Sequence, residues 1–495
     1  MSRIDLVDTT VRDGNQSLWG ATGLDTAQML QIAPVMDRVG FAAVDFTSST
    51  HMAVAVRFKK ENPWERIRLM RAAMPNTPLQ LITTGMRFIS WETASPDLMR
   101  LVFRLLVDAG IRRFAVMDPM NDMAALEACA RMIREEGGEQ IIAALAYTLS
   151  PVHDEGYYAT CAQVLRSSSN IDRLYLKDPG GLLTAERAAS LLPAIRTAWG
   201  AKPFELHSHC TIGLAPFTYM QAADAGLDAV HTAVAPLANG TSQPSAERTV
   251  ANLREAGHTV DIDDAALAEM SAYFRTLAEV EGLPIAAPSD YDPSYFRHQV
   301  PGGMVTTMSR QLAELNLSHR MPAVYEETAR VRAELGYPIM VTPFSQVVGT
   351  QAVLNVIGKE RYASVPDEVI RYLQGRFGKP TGPVDPNVKD RILALPRAKD
   401  LAGEPPMPGL ADLRRKLGPT LSDEELALRA VMPADQVDAM LAAGPARRDY
   451  DPAARPILRL LRELVPRRDL THVVVEKPGF RLELKSHRRS ADARA

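Results

Sequence analysis

Cysteine is scarce in this chain. Only Cys129, Cys161 and Cys210 occur in 495 residues, none in a CxxC pair, which excludes a disulfide framework and a zinc knuckle built on paired thiolates. Long apolar runs are also missing: the longest falls far short of the roughly 20 residues that span a bilayer. The N-terminus, MSRIDLVDTTVRDG, carries no signal-peptide core, so a cytoplasmic protein without a membrane span is expected. Neither sign of charge dominates. A net charge of -3 excludes a strong electrostatic footprint for nucleic acid or an anionic membrane. No G-x-G-x-x-G fingerprint follows any predicted strand, which argues against a dinucleotide-binding open sheet.

What is present reads as an ordinary globular protein, 46% hydrophobic and 23% charged, long enough for two or three domains. Up to about Glu255, short β-branched or apolar runs alternate with helical patterns of 12–16 residues. Strands are predicted at IDLVDT, AAVDF, LQLITT, RFAVMD, IIAALAYT, RLYLKD, FELHSH and AVHTAV, with helices between them such as DTAQMLQIAPVMDRVG and TAERAASLLPAIRTAW. Eight such units predict an α/β fold, a closed (β/α)8 TIM barrel. Beyond residue 260 helical periodicity takes over, broken by the proline-rich GKPTGPVDP and GEPPMPGL. LSDEELALRAVMPADQVDAMLAA predicts two short helices, the first opened by Ser422 as N-cap with Glu425 three residues on. From Ala446 the chain carries 13 Lys/Arg against 7 Asp/Glu and ends in HVVVEKPGFRLEL, a predicted hairpin. The expected domains are a barrel over 1–290, a helical, funnel-like domain over 291–445 and a basic extension over 446–495 that contacts a subunit or carrier.

In such a barrel the chemistry sits at the C-terminal ends of the strands. Asp13 follows the first strand, Lys177 ends the sixth, and His207 and His209 end the seventh. In HxH on a strand the two imidazoles share a face about 6–7 Å apart, which suits two ligands of one cation, with Asp13 as a third. An N/O set without thiolate suits Zn²⁺, Mn²⁺ or Co²⁺ as a Lewis acid. Singly, each residue has an ordinary explanation. HxH occurs by chance, an Asp after a strand caps a helix, and a Lys at a strand end snorkels to solvent. What sets them apart is that all four fall on one rim of one barrel.

DxTxRDGxQS, YLKDPGGLLT and HxHCTIGLA together resemble the carboxyltransferase domain of biotin-dependent enzymes: pyruvate carboxylase, the oxaloacetate decarboxylase alpha subunit and the transcarboxylase central subunit. The resemblance spans roughly residues 3–440 and continues through FAVMDPMND, AYTLSPVH, GTSQPS, VPGGMVTTM and VGTQAVLNVIGKERY. It implies that Lys177 is carbamylated, CO₂ turning a buried ammonium into a metal-binding carboxylate, which removes the cost of an unpaired buried cation. Asp13, modified Lys177, His207 and His209 would be the ligands. Thr306 matches the residue that passes a proton between biotin and substrate, and Arg12 and Gln16 match the pair that handles the substrate's carbonyl and carboxylate end. Tyr147 faces the family's site. The reaction implied is carboxyl transfer between carboxybiotin and a small carbonyl acceptor, most simply a 2-oxo acid such as pyruvate or oxaloacetate. No AMKM-like biotin attachment stretch and no biotin carboxylase region occur. The expectation is therefore one subunit of a multi-subunit enzyme, at least a homodimer, served by a biotin carboxyl carrier protein and a biotin carboxylase subunit.

Four stretches depart from the family pattern. Thr84, in LITTGMRFISW, stands where an arginine clamps the acceptor carboxylate, with Arg87 three residues on as a substitute; losing a bidentate guanidinium contact is not neutral. The turn after the second strand reads SSTHM (Ser48 to Met52), the first motif reads RDGNQS, and TPTSQ becomes TPFSQ with Phe344. Three of the four are expected to line the pocket. Two other readings stand beside the carboxyltransferase: a related metal-dependent aldolase or acyl-CoA lyase or synthase, which shares the barrel and HxH, and a decayed scaffold without turnover. Lys177 in KDPGGLL with PGGMVTT separates the first, and the intact ligand set speaks against the second.

Overall fold

The computed structural model describes residues 2–89, 93–451, 460, 461, 464, 467, 470–477 and 480–485, without the side chains of 302, 303, 306, 307 and 477. Eight parallel strands, β1 (Asp5–Asp8), β2 (Ala43–Ser48), β3 (Leu79–Thr83), β4 (Arg113–Met117), β5 (Gln140–Ala146), β6 (Arg173–Asp178), β7 (Phe204–Ser208) and β8 (Ala229–Thr232), close into a barrel in sequential order. Every predicted strand is present. The helices start where local chemistry allows. Asp25 and Gln28 form a reciprocal capping box for Thr26–Met36, and the Thr184 side chain accepts from Arg187 N at the start of Ala185–Trp199. Ser422 caps Asp423–Arg429 through Glu425 N, while the Glu425 carboxylate accepts from Arg429 Nε at 2.7 Å.

Strand periodicity sorts residues between two environments. On β6, Leu174 and Leu176 join the apolar shell under the helices, whereas Tyr175 turns inward with Ile82, Ala115, Met117, Ile142 and Ala144. Side chains of that inward set fill the lumen, so it is a packed core rather than a channel. The polar members of the same register, Arg113, Arg173, Glu205 and His231, are held by ion pairs and hydrogen bonds among themselves.

A second apolar core, from Val300 to Leu401, is built on Gly302–Glu314, Met321–Glu334, Phe344–Ile357 and Asp367–Leu373. Met120, from the loop after β4, inserts into it. The last helices return to the barrel: Leu413, Leu426, Leu428, Val437, Met440 and Tyr450 belong to the barrel's own core. Ala446 N donates to Glu65 Oε2 at 3.1 Å and the Tyr450 hydroxyl to Glu281 at 3.0 Å, so the start of the basic extension packs on the barrel. The predicted hairpin is present as β9 (His472–Lys477) paired with β10 (Phe480–Lys485). Much of the rest of that extension lies outside the described residues. No helix among the described residues is long and apolar enough to cross a membrane.

Asp8, wholly buried at the end of β1, has Oδ1 accepting from the Thr10 hydroxyl at 2.5 Å and Oδ2 without a hydrogen-bond partner among the described residues. Burial, only partly offset by Thr10, raises its carboxyl to about 7. A folded value above the unfolded one means that its contribution to stability is complete in acid and is lost as pH rises through about 7. Asp8→Asn, neutral throughout, should therefore escape a loss on the order of 2–3 kcal/mol between pH 5 and 7.5. Thermal melts of both proteins across that range check this, and parallel Tm profiles would contradict it.

Candidate active site

After β1 the chain turns through a π-helical loop, Thr10–Gly14, closed by Gly14 N donating to Thr9 O at 3.0 Å. Such turns re-aim side chains at functional sites, and this one points Asp13 across the top of the lumen. Parallel pairing of β6 with β7 sets Lys177 directly beside His207, and His209 follows one residue past the strand. Four groups converge on Asp13 Oδ2: His207 Nε2 and Arg12 Nη1 at 3.1 Å, His209 Nε2 and Lys177 Nζ at 3.5 Å. Lys177 Nζ lies 3.1 Å from His207 Nε2. The two imidazoles approach more closely than strand spacing suggests, 5.1 Å between ring centroids and 3.1 Å between Nε2 atoms. The reason is that His209 lies beyond the regular strand, where His209 Nδ1 donates to Thr241 O at 2.6 Å and tilts its ring inward.

The DPGGLL loop is tied down by its own aspartate. Asp178 accepts from Leu182 N and Leu183 N, both at 2.9 Å, and from the Ser208 hydroxyl at 2.8 Å. Gly181 has φ +69°, and a Cβ there would sit 2.3 Å from His209 O, so only glycine lets this loop pass beneath the second imidazole.

Burial would raise Asp13, but Arg12, His209 and Lys177 hold its carboxyl well below the usual range. Burial, seconded by Arg12, lowers the Lys177 amine. Burial and Lys177 hold His207 well below the ordinary imidazole value. Asp13, His207 and His209 bring their ligand atoms within 4.8 Å of one another, and Asp13 Oδ2 makes no well-formed hydrogen bond among the described residues. Two imidazole nitrogens and a carboxylate oxygen, buried and facing one point, fit a divalent cation.

The cavity above this cluster measures about 420 Å³ and includes Arg12, Gln16, Thr84, Arg87 and Lys177 in its wall. Its far side comes from the helical half, at Met340, Ser345 and Gln346. The Arg12 guanidinium is engaged by carboxylates, donating to Asp45 from Nε at 2.8 Å and also from Nη2, with Asp13 on Nη1. Gln16 is exposed at the cavity wall. Arg87, 7% exposed, stacks over Phe377 at 5.7 Å and lies in the field of Asp118.

Tyr147 is buried against Tyr158, 5.5 Å between rings, and is not among the residues lining the cavity. Thr306 lies in the helix Gly302–Glu314, and its side chain is outside the described residues. The changed residues themselves line the cavity in two of the four departures rather than three: Thr84 with Arg87, and Ser48–Thr50. The side chain of Asn15 turns back to bond Val11 O and Ala21 O. Phe344 is fully buried in the helical core, edge-on to Tyr372 and Phe377.

Residues that sequence reasoning left unassigned complete the site. Gln243 Nε2 lies 3.0 Å from His209 Nε2, and it sits in GTSQPS, a motif already conspicuous. Asp45, in AAVDF, shows the same oddity as Lys177, one charge in an apolar strand. Glu205 and His231 lie beneath His207 and carried no sequence signal beyond polarity in a strand.

Comparison with known proteins finds relatives along most of the chain. The conserved carboxylase domain matches residues 296–442. A pyruvate carboxylase subunit of Methanocaldococcus jannaschii is 33% identical over 489 residues, covering 97% of this chain and 84% of that protein. The 2-oxoglutarate carboxylase large subunit of Hydrogenobacter thermophilus is 33% identical over 449 residues, covering 89% and 68%. Among solved structures, the carboxyl transferase domain from Rhizobium etli pyruvate carboxylase with oxamate and biotin superposes with a TM-score of 0.78 at 28% identity, covering 89% of this chain and 78% of that one. A closed eight-stranded barrel with a helical half, 33% identical to such a relative over 97% of its length, belongs to the carboxyltransferase family of biotin-dependent carboxylases.

Proposed function

We propose that this chain moves a carboxyl group between carboxybiotin, presented by a biotin carboxyl carrier protein on a separate chain, and the enolisable carbon of a small 2-oxo acid. The observation that carries this reading is the convergence of His207, His209 and Lys177 on Asp13 Oδ2 within 3.5 Å at the cavity floor. The names of two relatives, a pyruvate and a 2-oxoglutarate carboxylase component, support a 2-oxo acid as acceptor. A biotin carboxylase subunit, a homodimer and a cytoplasmic setting complete the proposed assembly. In it the barrel of residues 1–290 carries the chemistry, 291–445 closes the cavity, and the basic residues of 446–495 face a partner.

In this scheme Asp13, His207, His209 and a carbamate on Lys177 hold a divalent cation, Zn²⁺, Mn²⁺ or Co²⁺, which supplies a Lewis acid when bound. The carbamate forms as the Lys177 ammonium sheds one proton, the free amine adds CO₂ and the adduct sheds a second proton, so a cation is replaced by an anion. Arg12, locked by Asp45, fixes the Asp13 carboxylate and keeps positive charge beside the enolate that develops. Arg87 and Gln16 receive the acceptor carboxylate, Arg87 standing in for the guanidinium that Thr84 cannot offer. Thr306 passes the acceptor's proton to the biotin ureido nitrogen while the N–carboxyl bond breaks and the new C–C bond forms.

Reconstitution with a carboxylated carrier and a panel of 2-oxo acids tests the whole reading. Transfer to at least one of them is expected, and activity with none, or retro-aldol cleavage without biotin, would refute it. Lys177→Ala should lose transfer by about 100-fold or more together with the mass of one CO₂ seen in native mass spectra of bicarbonate-treated protein. An unmodified amine in active enzyme would contradict the carbamate. Arg87→Ala should raise KM for the acceptor by tenfold or more, the scale of about 1.5–3 kcal/mol for a charge-assisted hydrogen bond, with kcat moving less. An unchanged KM would remove Arg87 from substrate binding.

A further inference from the structure

Glu205 and His231 lie deeper in the lumen than the ligand cluster and touch no part of the cavity. Strand alternation on β7 places Glu205 two residues before His207 on the same inward face, and β8 brings His231 alongside. Glu205 Oε2 accepts from Arg113 Nη2 at 2.6 Å, and Oε1 accepts from Arg173 Nε. Both oxygens therefore sit on guanidinium groups and the carboxylate is ionised. An ionised carboxylate only accepts, so His231 Nε2, at 3.0 Å from Oε2, carries the proton of that contact.

Two guanidinium groups already outweigh the single negative charge of Glu205. A third cation in this lumen would stand uncompensated in a low-dielectric setting. His231 is accordingly neutral, which leaves its Nδ1 as a bare acceptor. His207 Nδ1 lies 3.1 Å from it and must donate. An imidazole protonated at Nδ1 has its lone pair on Nε2, and His207 Nε2 is the atom 3.1 Å from both Asp13 Oδ2 and His209 Nε2. The second imidazole reaches the same tautomer through a backbone carbonyl, Thr241 O.

We propose that Glu205, acting through His231, sets the tautomer of His207 and holds its ring so that Nε2 offers a lone pair to a divalent cation. His231 is a positioning residue, and its effect on metal binding rests on the ligand set proposed above. Partners of this kind behind a ligating histidine change metal affinity by about 10–100-fold when removed.

The test uses the full chain labelled with ¹⁵N-histidine. In metal-free protein, long-range ¹H–¹⁵N spectra should show His207 protonated at Nδ1, and His231→Leu should bring in the Nε2-protonated form. Titration with Co²⁺ should give about 10–100-fold weaker binding in His231→Leu, with a displaced visible absorption band. His231→Asn puts an amide oxygen at the position of Nδ1, so it should restore both to within a few fold. The proposal is overturned if His207 of the unmodified chain is protonated at Nε2, or if His231→Leu binds Co²⁺ with the same affinity and spectrum. Should leucine at 231 prevent folding, the nitrogen spectrum of the unmodified chain decides. Should the unmodified chain take up no cobalt, the proposed ligand set fails while the same spectrum still reads the tautomer.

Discussion

Parallel register between neighbouring strands is the constraint on which this molecule's site depends. Because side chains alternate with a period of two, the pairing that sets Lys177 beside His207 also sends Tyr175 and Glu205 inward below them. A slip of one residue would turn all of these into the shell under the helices and bring leucines into the lumen. The register is defended from both sides. Leu174, Leu176 and Leu206 are fully buried against helices, and the inward charge of Glu205 is met by Arg173 and His231 on the neighbouring strands and by Arg113 across the lumen.

Charge inside the barrel is tolerated because it is organised in two tiers. The lower tier surrounds the Glu205 carboxylate with Arg113, Arg173 and His231. The upper tier sets Asp13 and Asp45 against Arg12 and Lys177. An unpaired ion in such a place costs several kcal/mol, so the upper tier, where the partners of Asp13 crowd within 3.5 Å, is the place suited to a cation. Arg12 illustrates how the tiers share labour: its guanidinium is held by Asp45, and that fixed charge in turn holds Asp13.

The helical half contributes shape more than charge. Met340, Ser345 and Gln346 wall the cavity, and Phe377 supports Arg87 from below. Phe344 reaches this region only through packing, edge-on to Phe377 in the second core, so its departure from the family pattern is felt through the support of Arg87 rather than in the cavity wall. The barrel's own core, meanwhile, extends to Tyr450, which ties the end of the helical region back to the barrel.

Strand number, strand order and the residues that meet at the barrel mouth were readable from the chain alone, because alternation of apolar runs with helical patterns and the placement of Asp13, Lys177, His207 and His209 at or just beyond strand ends are local properties. Even the charged residue in an apolar run, Lys177, announced itself. Tertiary structure alone decided the rest. Tyr147 turned toward Tyr158, Asn15 toward its own turn, and Phe344 into the second core, because each could satisfy a hydrogen bond or bury a ring away from the cavity. Glu205, His231 and Asp45 acquired their roles only when strands distant in sequence met in register. Hydrogen-bond direction is a property of pairs in space, and no single residue carries it.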